Sequence, residues 1–223
     1  MRPLIVNTFL TLDGVMQAPG GPEEDPTGGF THGGWSFNYW DEAMGRKMDE
    51  SMGPDYPFDL LLGRKTYEIF AAFWPHNPDQ PGAAELNAAT KYVASRTLDK
   101  VEWENSSLLE GDLTEAVKEL KEQTGPPIHV HGSANLIQSL LENDLVDELR
   151  LMIFPLVLGS GKRLFGDGTI PASFEVTDSQ TATTGVLLVN YKRAGDVQYG
   201  SFASPEPSDA EVERREALGE SDR

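Results

Sequence analysis

Nine consecutive residues, Leu60-Leu61-Leu62-Gly63-Arg64-Lys65-Thr66-Tyr67-Glu68, constrain this chain more than any other stretch. A short apolar run stops at a glycine, two cations and a hydroxyl follow, and helical spacing begins at Tyr67-Glu68-Ile69-Phe70. That order predicts a buried strand feeding a turn and a helix N-terminus. The first turn of a helix carries unpaired N–H groups and a partial positive charge, so it attracts anions. Arg64 and Lys65 at that position oppose the helix dipole unless something negative is bound. A phosphate resolves the conflict, with a guanidinium fork from Arg64, a point charge from Lys65 and a hydroxyl from Thr66. On these residues alone, a solvated basic turn that merely starts a helix fits equally well.

The net charge sharpens the question. The chain has 223 residues, with 36 acidic against 18 basic and a formal charge of −18. So acidic a surface disfavours nucleic acid and anionic membranes as partners, because phosphate binding needs clustered Lys and Arg. The few local basic clusters become more informative for that reason. There is no cysteine, which excludes disulfides and thiolate metal sites. Apolar runs are too short to span a bilayer, and Met1-Arg2-Pro3-Leu4 opens no signal-peptide core, so a cytoplasmic setting is expected.

In chain order, residues 4–12 read as a first buried strand, turned by Asp13-Gly14. Residues 17–34 are rich in Gly and Pro and read as a long irregular loop. The aromatics Trp35, Phe37, Tyr39 and Trp40 follow, able to stack a heterocycle or roof the core. A helix over 41–52 places Met44, Met48 and Met52 on one face, read as core packing. After the central strand-turn-helix come a short helix at 82–89, a strand at 91–96 ending in Ser95-Arg96, and a short strand at 101–106. Asp112 caps a helix to 123, with Glu115 three residues on. A strand at 128–131 leads through Gly132-Ser133 into a helix over 134–141, and a strand at 146–154 into the apolar loop 155–161. Residues 174–182 and 186–192 alternate as a closing hairpin. The domain is read as 1–194, with 195–223 an acidic tail, disordered or loosely helical.

Strands alternating with helices predict an α/β domain with a mainly parallel sheet and a terminal antiparallel hairpin. Three strand ends carry small or phosphate-friendly residues: Gly63-Arg64-Lys65-Thr66, Ser95-Arg96 and Gly132-Ser133-Ala134. Ligands of open α/β sheets lie at the carboxyl ends of strands. Three such ends predict a polyphosphate ligand, and two positive clusters on an acidic chain fit NADP better than NAD. Neither a G-x-G-x-x-G nor a P-loop fingerprint is present. His129 and His131 share a strand face, but no third ligand accompanies them and no metal is expected.

The stretch 62–68 resembles the Gly-Arg-x-Thr-Tyr/Trp-Glu signature of dihydrofolate reductases. Thr11-Leu12-Asp13-Gly14 is similar to the Ser-Leu-Asp-Gly opening of the reductase domain in the riboflavin-pathway deaminase-reductase. Asp147-Glu148-Leu149 and the loop Pro155-Leu156-Val157-Leu158-Gly159-Ser160-Gly161 resemble the D-E-L and P-x-x-x-G-x-G pattern of that branch. The resemblance implies a dihydrofolate reductase-like three-layer fold, NADPH as hydride donor and a pteridine- or pyrimidine-like acceptor. By position it gives Gly63, Arg64, Lys65 and Thr66 to the 2′-phosphate and pyrophosphate. Ser95 and Arg96 fall to the adenosine end, Gly132, Ser133 and Ala134 to the pyrophosphate, and Gly14 and Val15 to a loop over nicotinamide. Folate reductases protonate the pterin with help from an acid on the helix after the Trp-containing loop. Asp41 or Glu42 would stand there, although Asp41 reads equally as a helix N-cap. Asp13 is a second candidate, for the substrate or for the turn. The zinc deaminase half of the riboflavin enzyme cannot be built without cysteine, so a stand-alone reductase-like domain is expected. Relatives of that branch pair, which implies a homodimer through 154–158. The alternative is an NADP-binding homologue without catalysis, acting as a sensor or partner-binding module.

Overall fold

The computed structural model describes residues 1–166, 169–202 and 206–221. The Leu-Leu-Leu-Gly run is strand β2 (Asp59–Gly63), one of eight strands in a single sheet. The others are β1 (Leu4–Thr11), β3 (Lys91–Ala94), β4 (Ser106–Leu108), β5 (Ile128–His131), β6 (Glu148–Phe154), β7 (Ser173–Thr181) and β8 (Leu187–Gly195). Their order across the sheet is β4-β3-β2-β5-β1-β6-β8-β7. The first six are parallel, and β8 and β7 are antiparallel. The helices are α1 (Glu42–Met52), α2 (Arg64–Phe73), α3 (Ala83–Ala88), α4 (Leu113–Glu122), α5 (Ala134–Glu142) and α6 (Asp209–Ser221). The mainly parallel α/β sheet with a closing antiparallel hairpin is therefore as read from the sequence. The tail reading falls in part on 203–205, 222 and 223, which lie outside the described residues. Among the described residues no helix is long and apolar enough to cross a membrane.

Period-two alternation sends the side chains of each strand to two different layers. Leu4, Val6 and Leu10 of β1 join Ile128, Val130, Leu149 and Leu151 in one continuous core, roofed by Val117 and Leu120 of α4 and Ile137 and Leu140 of α5. The opposite face carries two clusters instead of one. Phe58, Leu60, Leu62, Tyr67 and Trp103 form the first, and Met44, Met152, Phe154 and Leu188 the second. The methionine stripe of α1 spans the gap: Met44 belongs to one cluster, Met52 to the other, and Met48 packs against both. Within the segment 154–158, Phe154 is fully buried in its own fold, whereas Pro155 and Val157 are exposed.

One strand begins later than the sequence reading. The expected strand at 101–106 is displaced to Ser106–Leu108. The Tyr67 hydroxyl takes the N–H groups of Glu102 and Trp103 at 2.9 and 3.1 Å, so these donors are spent on a side chain and not on a ladder. Trp103 turns inward, and its ring receives the ammonium of Lys91 at 4.2 Å. Lys91 is wholly buried and donates to the carbonyls of Asn87, Ala89 and Glu104 at 2.7, 2.8 and 3.0 Å. It fastens α3 and the Trp103 segment to the start of β3. Lys91→Met would strand those carbonyls in the interior, where each unsatisfied group costs roughly 1–3 kcal/mol. Urea unfolding should show a loss of about 3 kcal/mol, with the slope unchanged.

Candidate active site

The carboxyl ends of β3, β2 and β5 lie side by side, which brings the three phosphate-friendly segments together. Gly63 ends β2 and precedes α2, while Ser133 precedes α5. The Ser133 hydroxyl accepts the Gly63 N–H at 3.0 Å and donates to the Thr66 hydroxyl at 2.8 Å. The packing is tight at both glycines. A Cβ on Gly63 would sit 3.2 Å from the Ser133 side chain, and one on Gly132 would sit 3.2 Å from Thr66 Oγ1. Gly132 has φ of +54° and Ser133 φ of +64°, the second a left-handed conformation that costs a non-glycine residue roughly 1 kcal/mol. The two bonds of its hydroxyl hold Ser133 there.

That hydroxyl is turned away from its own helix, and the consequence is electrostatic. Asp41 caps α1 through the Met44 N–H, and Asp112 caps α4 through those of Thr114 and Glu115. Neither α2 nor α5 has a side-chain cap or an acidic residue in its first turn. Two neighbouring helix starts thus keep their N–H groups and partial positive charge for an anion. Arg64 and Lys65 are exposed at the first of them. The Arg64 guanidinium donates to Thr97 Oγ1 at 2.7 Å and lies 3.5 Å from Glu68, which reaches it toward the end of β3. Arg96 is exposed beside it. Ser95 has a local task, accepting the N–H groups of Thr97 and Leu98 at 3.1 and 3.0 Å. Ala134, half-buried, opens α5.

On the other side of α5 lies an open cavity of about 310 Å³, lined among others by Ala134, Asn135, Gln138, Lys162 and Arg163. Sequence reading did not single out Lys162 or Arg163, because only the folded path of the loop after β6 brings them to α5. Lys162 pairs with Asp25 at 2.5 Å, and Arg163 lies 3.4 Å from Asp13. Gly14, with φ of +79°, accepts the Leu164 N–H at 3.1 Å, so the turn after β1 is bound to the same loop.

The two candidate acids both have structural partners. Asp13 accepts from the Thr11 hydroxyl at 2.5 Å and from the N–H groups of Leu158 and Gly159 at 3.2 and 2.8 Å. The Thr11 bond first, aided by those backbone donors against the cost of burial, holds its pKa down at about 2. Asp41 bonds the Thr183 hydroxyl and N–H, both at 2.8 Å, as well as capping α1 at 3.1 Å. These donors, that hydroxyl foremost, keep Asp41 below the usual carboxylate range. His129 stacks on Phe58 at 5.0 Å, and burial holds it at about 2 and His131 at about 4. Both imidazoles are therefore neutral at pH 7. Among the described residues no group of three or more His, Asp or Glu is arranged to hold a metal ion. The aromatic cluster is joined to the sheet: Trp35 and Tyr39 set their rings edge-on to Phe154 at 5.1 and 5.9 Å, and Trp40 lies 6.3 Å from Phe9.

Residues 2–188 match the family described as the RibD C-terminal domain. The uncharacterized Bacillus subtilis protein YyaP is 30% identical over 198 residues, covering 85% of this chain and 94% of its own. YwjB of the same organism is 30% identical over 135 residues, 60% of this chain and 73% of its own. Among solved structures, a protein assigned to riboflavin biosynthesis from Shewanella sp. PV-4 superposes with a TM-score of 0.60 at 23% identity, covering 86% of this chain and 99% of that one. Dihydrofolate reductase from Enterococcus faecalis, complexed with NADP(H) and RAB-propyl, does so with a TM-score of 0.53 at 14% identity, covering 86% and 96%. Both share the fold.

The lowered pKa of Asp13 fixes the sign of a pH effect. Stability from a depressed carboxylate is present above its unfolded pKa of 3.8 and is lost as pH falls through about 2. Asp13→Ala should be less stable than wild type at pH 7. In urea titrations run at successive pH values, the gap should close between about pH 4 and pH 2.

Proposed function

The chain belongs to the RibD C-terminal domain family, and from that membership we propose that it is a reductase transferring hydride from NADPH to a small planar heterocycle of pteridine or pyrimidine type. The observation that carries the reading is the pair of uncapped helix starts flanked by Arg64, Lys65 and Arg96 on a chain of net charge −18. An acidic protein gains nothing by gathering cations at an uncapped helix start unless an anion is their ligand. In this reading Gly63, Lys65, Thr66 and the segment Gly132-Ser133-Ala134 hold the phosphates. Arg64 and Arg96 meet the 2′-phosphate, Ser95 shapes the turn that presents Arg96, and Gly14 lies in the loop that covers the nicotinamide. The NADP(H) of the Enterococcus faecalis enzyme, a protein of the same fold, supports that choice of cofactor. So does the pyrimidine reductase-like protein from Corynebacterium diphtheriae for the substrate, at TM-score 0.56, 14% identity, 87% of this chain and 93% of that one.

When bound, the dinucleotide supplies hydride; the chain supplies orientation and exclusion of water. Asp41 and Asp13 are assigned structural roles, since each is ionised and committed to several donors. That commitment is also what favours the second reading, an NADP-binding homologue that senses the nucleotide without turning it over.

Fluorescence titration with NADPH and NADH tests the proposal. NADPH should bind at least about tenfold more tightly, and Arg64→Ala should erase most of that preference, a charge-assisted bond being worth roughly 1.5–3 kcal/mol. Failure of both nucleotides to bind would end the reductase reading and the sensor reading together.

A further inference from the structure

The gap between the two apolar clusters on the α1 and α2 face is filled by a polar row. Strand register sets Asn190 beside Arg150, Arg150 beside Asn7, and Asn7 beside His131, straight across β8, β6, β1 and β5. All four are partly exposed, in the middle of a sheet face where the flanking layers are apolar. Next along the same face toward the strand ends come Phe9, Met152 and Leu188, with Trp40 above Phe9. Phe70 of α2 lies 6.4 Å from His131, and Met48 of α1 bridges both clusters.

The row is not satisfied by the protein. Among the described residues, five buried side-chain nitrogen or oxygen atoms have no hydrogen-bond partner, and three are here: Arg150 Nε, His131 Nε2 and His129 Nδ1. Among the described residues the one hydrogen bond of the Arg150 side chain goes to Glu148, through Nη2 at 3.3 Å. Native interiors rarely strand polar atoms, and a concentration of them calls for a ligand or water to complete it. Asn7, with a weak 3.3 Å bond to the Ile5 carbonyl, keeps amide capacity as well. Asp178, beside Asn190 in the strand register, pairs with Lys47, and Glu148 pairs with Arg150. Both of these carboxylates thus have a cationic partner already, Glu148 through Nη2 of Arg150 and not through its Nε, and neither stands free to receive the N–H and NH₂ groups of a diamino ring.

We propose that the row Asn7-His131-Arg150-Asn190 is the floor of the substrate site, and that it recognises a planar ring whose buried edge carries acceptors, as a carboxylate or a ring oxyanion. A half-buried guanidinium donor beside amides suits such an edge, and Phe9, Trp40 and Phe70 supply apolar walls for the ring. This rests on the reductase reading and gives its acceptor a polarity. Folate reductases meet the pterin with an acid, whereas this floor meets its ligand with donors.

The test uses two rings of equal size on the full chain, barbituric acid, acceptor-edged and anionic, and 2,4-diaminopyrimidine, donor-edged. Binding is followed by calorimetry and by the imidazole ¹H–¹⁵N signals of His129 and His131. Barbiturate should bind at millimolar concentration or below and shift His131. Arg150→Met should weaken it about tenfold or more, and Asn7→Leu, a second variant that leaves Arg150 in place, should weaken it severalfold. Tighter binding of the diaminopyrimidine, no barbiturate binding, or equal barbiturate affinity in folded variants would overturn the proposal. NADPH titration of the same samples separates the two claims: intact nucleotide binding alongside a failed ring test removes the substrate class and leaves the reductase reading standing.

Discussion

The hydroxyl of Ser133 joins two strand-to-helix turns that are 70 residues apart in sequence. By taking the Gly63 N–H and donating to Thr66, it locks the end of β2 to the end of β5 and sets the starts of α2 and α5 next to one another. The same commitment leaves α5 without a side-chain cap, because a residue held in the left-handed region with its hydroxyl aimed across the sheet cannot also cap its own helix. One interaction thus brings the anion-seeking ends together and keeps them open. The capped helices make the contrast: α1 and α4 each begin with an aspartate that would repel a phosphate.

Around that junction the sheet divides its labour by face. One side is a continuous apolar core under α4 and α5, which supplies rigidity. The other is interrupted by the Asn190-Arg150-Asn7-His131 row, a polar seam that an apolar core would exclude. The seam meets the aromatic group of Phe9, Trp40 and Phe154 just before the strand ends, so the proposed phosphate and ring sites lie on adjacent strands of one sheet. The turn after β1 and the loop after β6 close the remaining side, and Asp13 fastens one to the other.

Much of this was legible in the sequence, for local reasons. The strand-turn-helix at Gly63, the cap at Asp112, the turn at Gly14 and the hairpin over Ser173–Gly195 all announce themselves through spacing and turn chemistry. The three glycine- or serine-marked strand ends read as one candidate site because parallel sheets gather ligands at their carboxyl edges, and β3, β2 and β5 do lie side by side. What stayed hidden depends on register. Asn7, Arg150 and Asn190 are unremarkable in three separate strands and become a row only when the pairing aligns them. Thr97 and Arg163 enter the site through loop paths no periodicity encodes. The displaced strand β4 has the same origin, since the Tyr67 hydroxyl claims the backbone donors that a strand over 101–106 would have needed.

A structure of the chain crystallised with NADPH tests the account most directly. The 2′-phosphate should lie against Arg64, the pyrophosphate at the backbone of Gly132-Ser133-Ala134, and the nicotinamide at the end of β1 beside Phe9 and Asn7. A nucleotide bound away from the junction of β2 and β5, with Arg64 still on Thr97 and no phosphate near Ser133, would contradict it.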